Sequence, residues 1–94
     1  MPGDLVDFDP VDFLDTPEAR AEYINAALEE GTEDELREAL ATVARAEGME
    51  AVAKGADISR AGIYKALGAS GDPRLSTLAG ILDAVGLRLS VTAK

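Results

Sequence analysis

The stretch from Gly48 to Leu67 constrains the fold more than any other part of this chain. Its apolar spacing and small residues predict a short helix, a tight turn and a second helix across residues 49–67. Ala53 falls where the two helices would cross, a place that admits only a small side chain. Asp57 falls at the turn, where a positive φ is wanted; glycine is commonest there and Asp tolerates it. Ser59 is placed to cap the second helix by accepting a hydrogen bond from an amide two or three residues on. Ile58, Ile63 and Leu67 form the inner face, whereas Ala61, Tyr64 and Lys65 point away on a helical wheel. Gly62 costs about 1 kcal/mol in a helix interior, and the sequence offers no reason for it.

A bracing helix followed by a slender, basic-tipped helix is what a DNA-reading helix-turn-helix requires. Ser59 and Arg60 stand at the N-terminal end of the second helix, the end that meets base edges. Arg60 can donate two hydrogen bonds to guanine O6 and N7, a contact worth about 1–3 kcal/mol of discrimination. Ser59 and Tyr64 can serve a base or a phosphate, and Lys54 and Lys65 suit phosphates. The competing reading is two ordinary amphipathic helices with a solvated basic face.

Net charge argues against DNA binding until it is divided along the chain. Residues 1–50 carry fifteen Asp and Glu against Arg20, Arg37 and Arg45, a net of −12. Residues 51–94 carry Asp57, Asp72 and Asp83 against Lys54, Arg60, Lys65, Arg74, Arg88 and Lys94, a net of +3. Opposite signs in the two halves imply opposite partners: a polyanion for the second and a basic surface for the first. With neither Cys nor His, the chain offers no disulfide, no zinc site of Cys/His type and no imidazole base. No cofactor or metal is expected. No run approaches the ~18 apolar residues of a membrane span, and the N-terminus is acidic, so a cytoplasmic protein is expected.

Residues 1–15 form an acidic segment with large apolar anchors: Asp4, Asp7, Asp9, Asp12 and Asp15 alternate with Leu5, Val6, Phe8, Val11, Phe13 and Leu14. It suits a basic protein surface, with Phe8, Asp9, Asp12, Phe13 and Leu14 as contacts. Alternatively, Phe8, Phe13 and Leu14 cover this chain's own core. Thr16, Pro17 and Glu18 open a helix with a stripe of Tyr23, Ile24, Ala27 and Leu28, ending at Gly31. Thr32 and Glu35 form a capping box for the next helix, with Leu36, Leu40 and Val43 inward.

After the helix-turn-helix, Asp72 and Pro73 predict the cap and first residue of a last helix that buries Leu75, Leu78, Ile81, Leu82 and Val85. Arg74, Ser76 and Thr77 in its first turn are candidate phosphate contacts. Residues 87–92 then alternate apolar and polar, the period of a half-buried strand. A lone strand leaves its backbone groups unpaired, so Leu87, Leu89 and Val91 are expected at an interface. The simplest partner is the same strand of a second copy about a two-fold axis; another protein's sheet edge is the alternative. The expected fold is mainly α: an acidic arm over 1–15, then a helical DNA-binding domain over 16–94 with one short C-terminal strand.

From about Phe8 to Thr92 the chain resembles the probable addiction module antidote family, HigA-like antitoxins with a Cro/C1-type, lambda-repressor-like helix-turn-helix of five helices. The most specific blocks are Ser59-Arg60-Ala61-Gly62-Ile63-Tyr64-Lys65-Ala66-Leu67 and Leu87-Arg88-Leu89-Ser90-Val91. Phe8-Asp9-Pro10, Phe13-Leu14-Asp15, Tyr23-Ile24-Asn25-Ala26-Ala27-Leu28 and Val43-Ala44-Arg45-Ala46-Glu47-Gly48-Met49 support them. Two departures stand out: Asp57 replaces the usual turn glycine, and Gly71-Asp72-Pro73 stands where Gly-Asn-Pro is common. The resemblance implies an antitoxin that neutralises a small basic toxin of the RelE/ParE superfamily (HigB-like) and represses its own operon at an operator. A stand-alone or phage-type repressor is the alternative, and a purely protein-binding helical module another. An enzyme is not expected, because no nucleophile–base pair or phosphate-cradling glycine loop is present.

Overall fold

In a computed structural model, residues 9–94 are described. Among them stand a 3-10 turn, η1 (Pro10–Phe13), and five α-helices: α1 (Pro17–Glu30), α2 (Glu33–Glu47), α3 (Met49–Gly55), α4 (Arg60–Ala66) and α5 (Leu75–Ala84). Most helix starts follow local chemistry. The Thr16 hydroxyl accepts from the Ala19 amide at 3.1 Å with Pro17 in the first turn, and Thr32 and Glu35 complete the capping box. Gly48 is shared by α2 as its end and α3 as its start, with φ +110°, a conformation that side-chain-bearing residues rarely adopt. That single residue redirects the chain by letting one helix stop and the next begin at once.

Helices α1 and α2 pack together, α2 also holds η1, and α3 packs on both α4 and α5. One core joins them: Leu14, Ile24, Leu40, Val43, Ala44, Val52, Ala53, Ile63, Leu67, Ile81, Leu82 and Val85 are buried in contact. Ala53 is buried in the core, and its carbonyl accepts the Ile58 amide at 2.9 Å as the turn closes. Asp57 takes φ +59°, the left-handed conformation its position requires. Ile63 and Leu67 are buried and Ile58 is half-buried, as the wheel requires.

Arg20 is the buried charge of the fold. Its Nε donates to the Leu14 carbonyl at 2.8 Å, and one terminal nitrogen donates to the Val85 carbonyl at 3.1 Å and to the Glu47 carboxylate at 2.8 Å. One guanidinium thus ties together the end of the N-terminal arm, α1, the end of α2 and the end of α5. Its planar fork of donors allows this, where a lysine's point charge would not.

Five expectations need correction. Helix α5 does not begin at Asp72 and Pro73; Arg74 is its N-cap and Leu75 its first residue. Tertiary packing overrides the local cap signal, since Asp72 and Pro73 instead line a crevice with Leu36, Leu40 and Leu78. Arg37 holds the preceding loop by donating to the Ala69 carbonyl at 2.7 Å. Leu75 consequently faces solvent, and Leu28 on α1 is also exposed. Among the described residues there is no strand: 87–94 take no regular structure, although the alternation predicted one over 87–92. A single copy supplies no second edge to complete a ladder. Leu87 is half-buried against the core and its amide donates to the Leu82 carbonyl at 2.8 Å, so it closes α5. Leu14, expected either as a partner contact or as cover for this chain's own core, is buried in that core, which removes it from the contact set.

Candidate functional site

The outward face of α4 is built by its cap. The Ser59 Oγ accepts from the Gly62 amide at 2.9 Å. A Cβ on residue 62 would approach that Oγ to 3.0 Å, a tight contact, but Ala19 and Glu35 occupy the matching position beneath the Thr16 and Thr32 caps, so the cap alone does not require glycine. A Ser cap contributes about 1 kcal/mol and a helical glycine costs about 1 kcal/mol, so the two nearly cancel. The arrangement sets geometry at the helix tip and adds little net stability.

Two shallow grooves flank that tip. Glu50, Ala53, Lys54, Asp57, Ser59 and Arg60 line the first, on the α3 side. Gly62, Lys65, Arg74 and Thr77 line the second, toward the first turn of α5, and Ile58 borders both. Lys54, Ser59, Arg60, Ala61, Tyr64, Lys65, Arg74 and Ser76 are all exposed, and Thr77 is half-buried. The structure therefore gathers Lys54, Ser59 and Arg60 on one side and Lys65, Arg74 and Thr77 on the other. Ser76 lies outside both grooves.

Two groups of complementary character lie near the Arg60 guanidinium. Its guanidinium carbon lies 5.9 Å from the centroid of the Tyr64 ring, within cation–π range. One of its terminal nitrogens lies 3.6 Å from a Glu50 carboxylate oxygen. Sequence reasoning missed Glu50, because no helical or strand period links residues ten apart across a turn. It missed Arg20 for the same reason, since that side chain's partners come from three distant segments.

The N-terminal arm offers a different surface. Phe8 lies outside the described residues. Asp9 caps η1 by accepting from the Val11 amide at 3.1 Å, and its other oxygen is 3.9 Å from Arg45. Asp12 is exposed, and Phe13 is 63% exposed even though it ends the turn beside buried Leu14. Beyond it, Glu18, Glu22, Glu29 and Glu33 line the outside of α1 and α2. At the other terminus Leu89 is exposed and Val91 is 95% exposed. No helix among the described residues is long and apolar enough to cross a membrane.

Comparison with known proteins adds to this geometry. The chain is 36% identical over 91 residues to an uncharacterized protein of Haemophilus influenzae, covering 97% of this chain and 94% of that one. No solved structure matches it. A family model described as "Probable addiction module antidote protein" matches residues 4–93, nearly the whole chain including the arm, α4 and the C-terminal tail. The chain therefore belongs to the family of probable addiction module antidote proteins.

Proposed function

We propose that this chain is the antitoxin of a type II toxin–antitoxin module, acting through two surfaces of opposite charge. The first binds and neutralises a basic toxin of the RelE/ParE superfamily (HigB-like). Phe13 and Asp12 on the arm carry this contact with Phe8 and Asp9, beside the acidic outer faces of α1 and α2. The second surface is a helix-turn-helix of Cro/C1 type, α3 and α4, that represses the module's own operon. The observation that carries this half is the capped, exposed tip of α4, where Ser59, Arg60 and Tyr64 stand clear of the core. Seven residues at 1.5 Å rise give a helix of about 10 Å, suited to entering a major groove end-on. Lys54 and Lys65 to either side, with Arg74, Ser76 and Thr77, meet phosphates.

A palindromic operator follows from a two-fold dimer, whose α4 helices must sit about one DNA turn, roughly 34 Å, apart. Exposed Leu89 and Val91 support pairing of the C-terminal tails of two copies, with the strand forming only when its partner edge arrives. Co-expression with the adjacent reading frame, followed by co-purification and a growth test, checks neutralisation. A mobility-shift assay on the chain's own promoter fragment at low and high salt checks repression. Val91→Pro is expected to convert a dimer to a monomer by light scattering, and a persistent dimer would place the interface elsewhere.

A further inference from the structure

We infer that Glu50 is a specificity-determining residue of the DNA face, positioning Arg60 for a base edge and penalising contact with phosphate. The inference rests on the operator-binding reading above and deepens it. A cation at the tip of a groove-entering helix has two targets, the base edge it must read and the phosphates on either side. Phosphates are everywhere, so an unrestrained Arg60 would bind any duplex. Here its guanidinium is held between the Tyr64 ring at 5.9 Å and the Glu50 carboxylate at 3.6 Å. Both charged groups remain open to solvent, with side chains 68% exposed for Arg60 and 83% for Glu50. The contact is thus too wet to serve stability and is available to an incoming ligand.

The carboxylate acts in two ways. It neutralises the helix tip, and together with Asp57 in the same groove it repels phosphate oxygens. It also brings an acceptor to the place where Arg60 brings donors. A guanine–cytosine pair satisfies both: O6 and N7 of guanine take the guanidinium protons, and the N4 amino group of cytosine donates to the carboxylate. A phosphate satisfies only the arginine and faces the carboxylate with like charge. Lys54, in the same groove, has no such counter-charge at hydrogen-bonding distance among the described residues and is left to hold the backbone.

The test compares full-length Glu50→Gln and Glu50→Asp with the parent chain. Affinity for the promoter fragment and for a scrambled duplex of equal length is measured across a salt series. Glu50→Gln is expected to tighten binding to the scrambled duplex and to cut the promoter-to-scrambled ratio by about tenfold. Its affinity for the scrambled duplex should also fall more steeply with salt, because phosphate contact is no longer opposed. Glu50→Asp keeps the charge on a shorter stem; a positioning role requires that it too lose selectivity, while its salt dependence stays that of the parent. An unchanged ratio in Glu50→Gln overturns the inference, as does a parallel rise in both affinities, which would make Glu50 a plain surface charge. Failure of the parent chain to bind its promoter at low salt would instead sink the operator-binding reading itself. Circular dichroism confirms that each variant keeps its helices, as expected for a side chain this exposed.

Discussion

Two arginine–glutamate pairs stand on either side of the junction at Gly48, and they do opposite work. Arg20 meets Glu47 at 2.8 Å with side chains 10% and 37% exposed, while Arg60 meets Glu50 at 3.6 Å in open solvent. In the first, the guanidinium also donates to two backbone carbonyls, so removing the side chain strands its partners. In the second, water competes at every contact, and an exposed pair of this kind is worth 0–1 kcal/mol, about the noise level of a fold. The same two residue types therefore build a clasp in one place and a solvent-exposed pair in the other. Burial decides which.

The comparison breaks most sharply at Arg20. Arg20→Ala leaves the Leu14 and Val85 carbonyls without their donor and is expected to cost about 3 kcal/mol. For a domain of this size that is a fall of about 12–24 °C in Tm, read by thermal circular dichroism. A change under a few degrees would show that the clasp is ornamental. Arg60→Ala should do the reverse. It leaves unfolding within about 0.5 kcal/mol of the parent, yet abolishes preference for the promoter in a shift assay, a loss of about 1–3 kcal/mol of discrimination. Selectivity that survives this change would move base reading off α4.

The smallest effect concerns the cap that sets the tip. Ser59→Ala is expected to cost about 1 kcal/mol in the parent chain. The same change in a Gly62→Ala background should cost about as much, because alanine and glutamate already occupy the matching position beneath the Thr16 and Thr32 caps. A clearly smaller cost in that background, measured by urea unfolding, would mean that Gly62 makes room for the cap.

Belonging to the antidote family sharpens the reading of the two terminal segments. The family match begins at residue 4 and ends at 93, so both segments are part of what the family shares. In the structure they differ. Among the described residues of the arm, Leu14 is buried and Asp9 caps a turn, while Asp9, Asp12, Phe13 and Asp15 are exposed. The tail is anchored at Leu87 alone, and its two further apolar residues, Leu89 and Val91, are exposed.

Local rules explain why much of this was legible beforehand. The caps at Thr16, Thr32 and Ser59, the positive φ of Asp57 and the inward set Ile63 and Leu67 each depend on residues within four positions of one another. Interactions of that range are written directly into the order of the side chains, and the sequence by itself determined them. Helix number and the outward face of α4 belong with them. The start of α5, the strand that did not form, the burial of Leu14 and the tasks of Arg20 and Glu50 were decided by the tertiary structure alone. Each depends on groups brought together from distant segments, or on a second edge that one copy lacks. No short-range pattern encodes such meetings; they exist only once the core has closed.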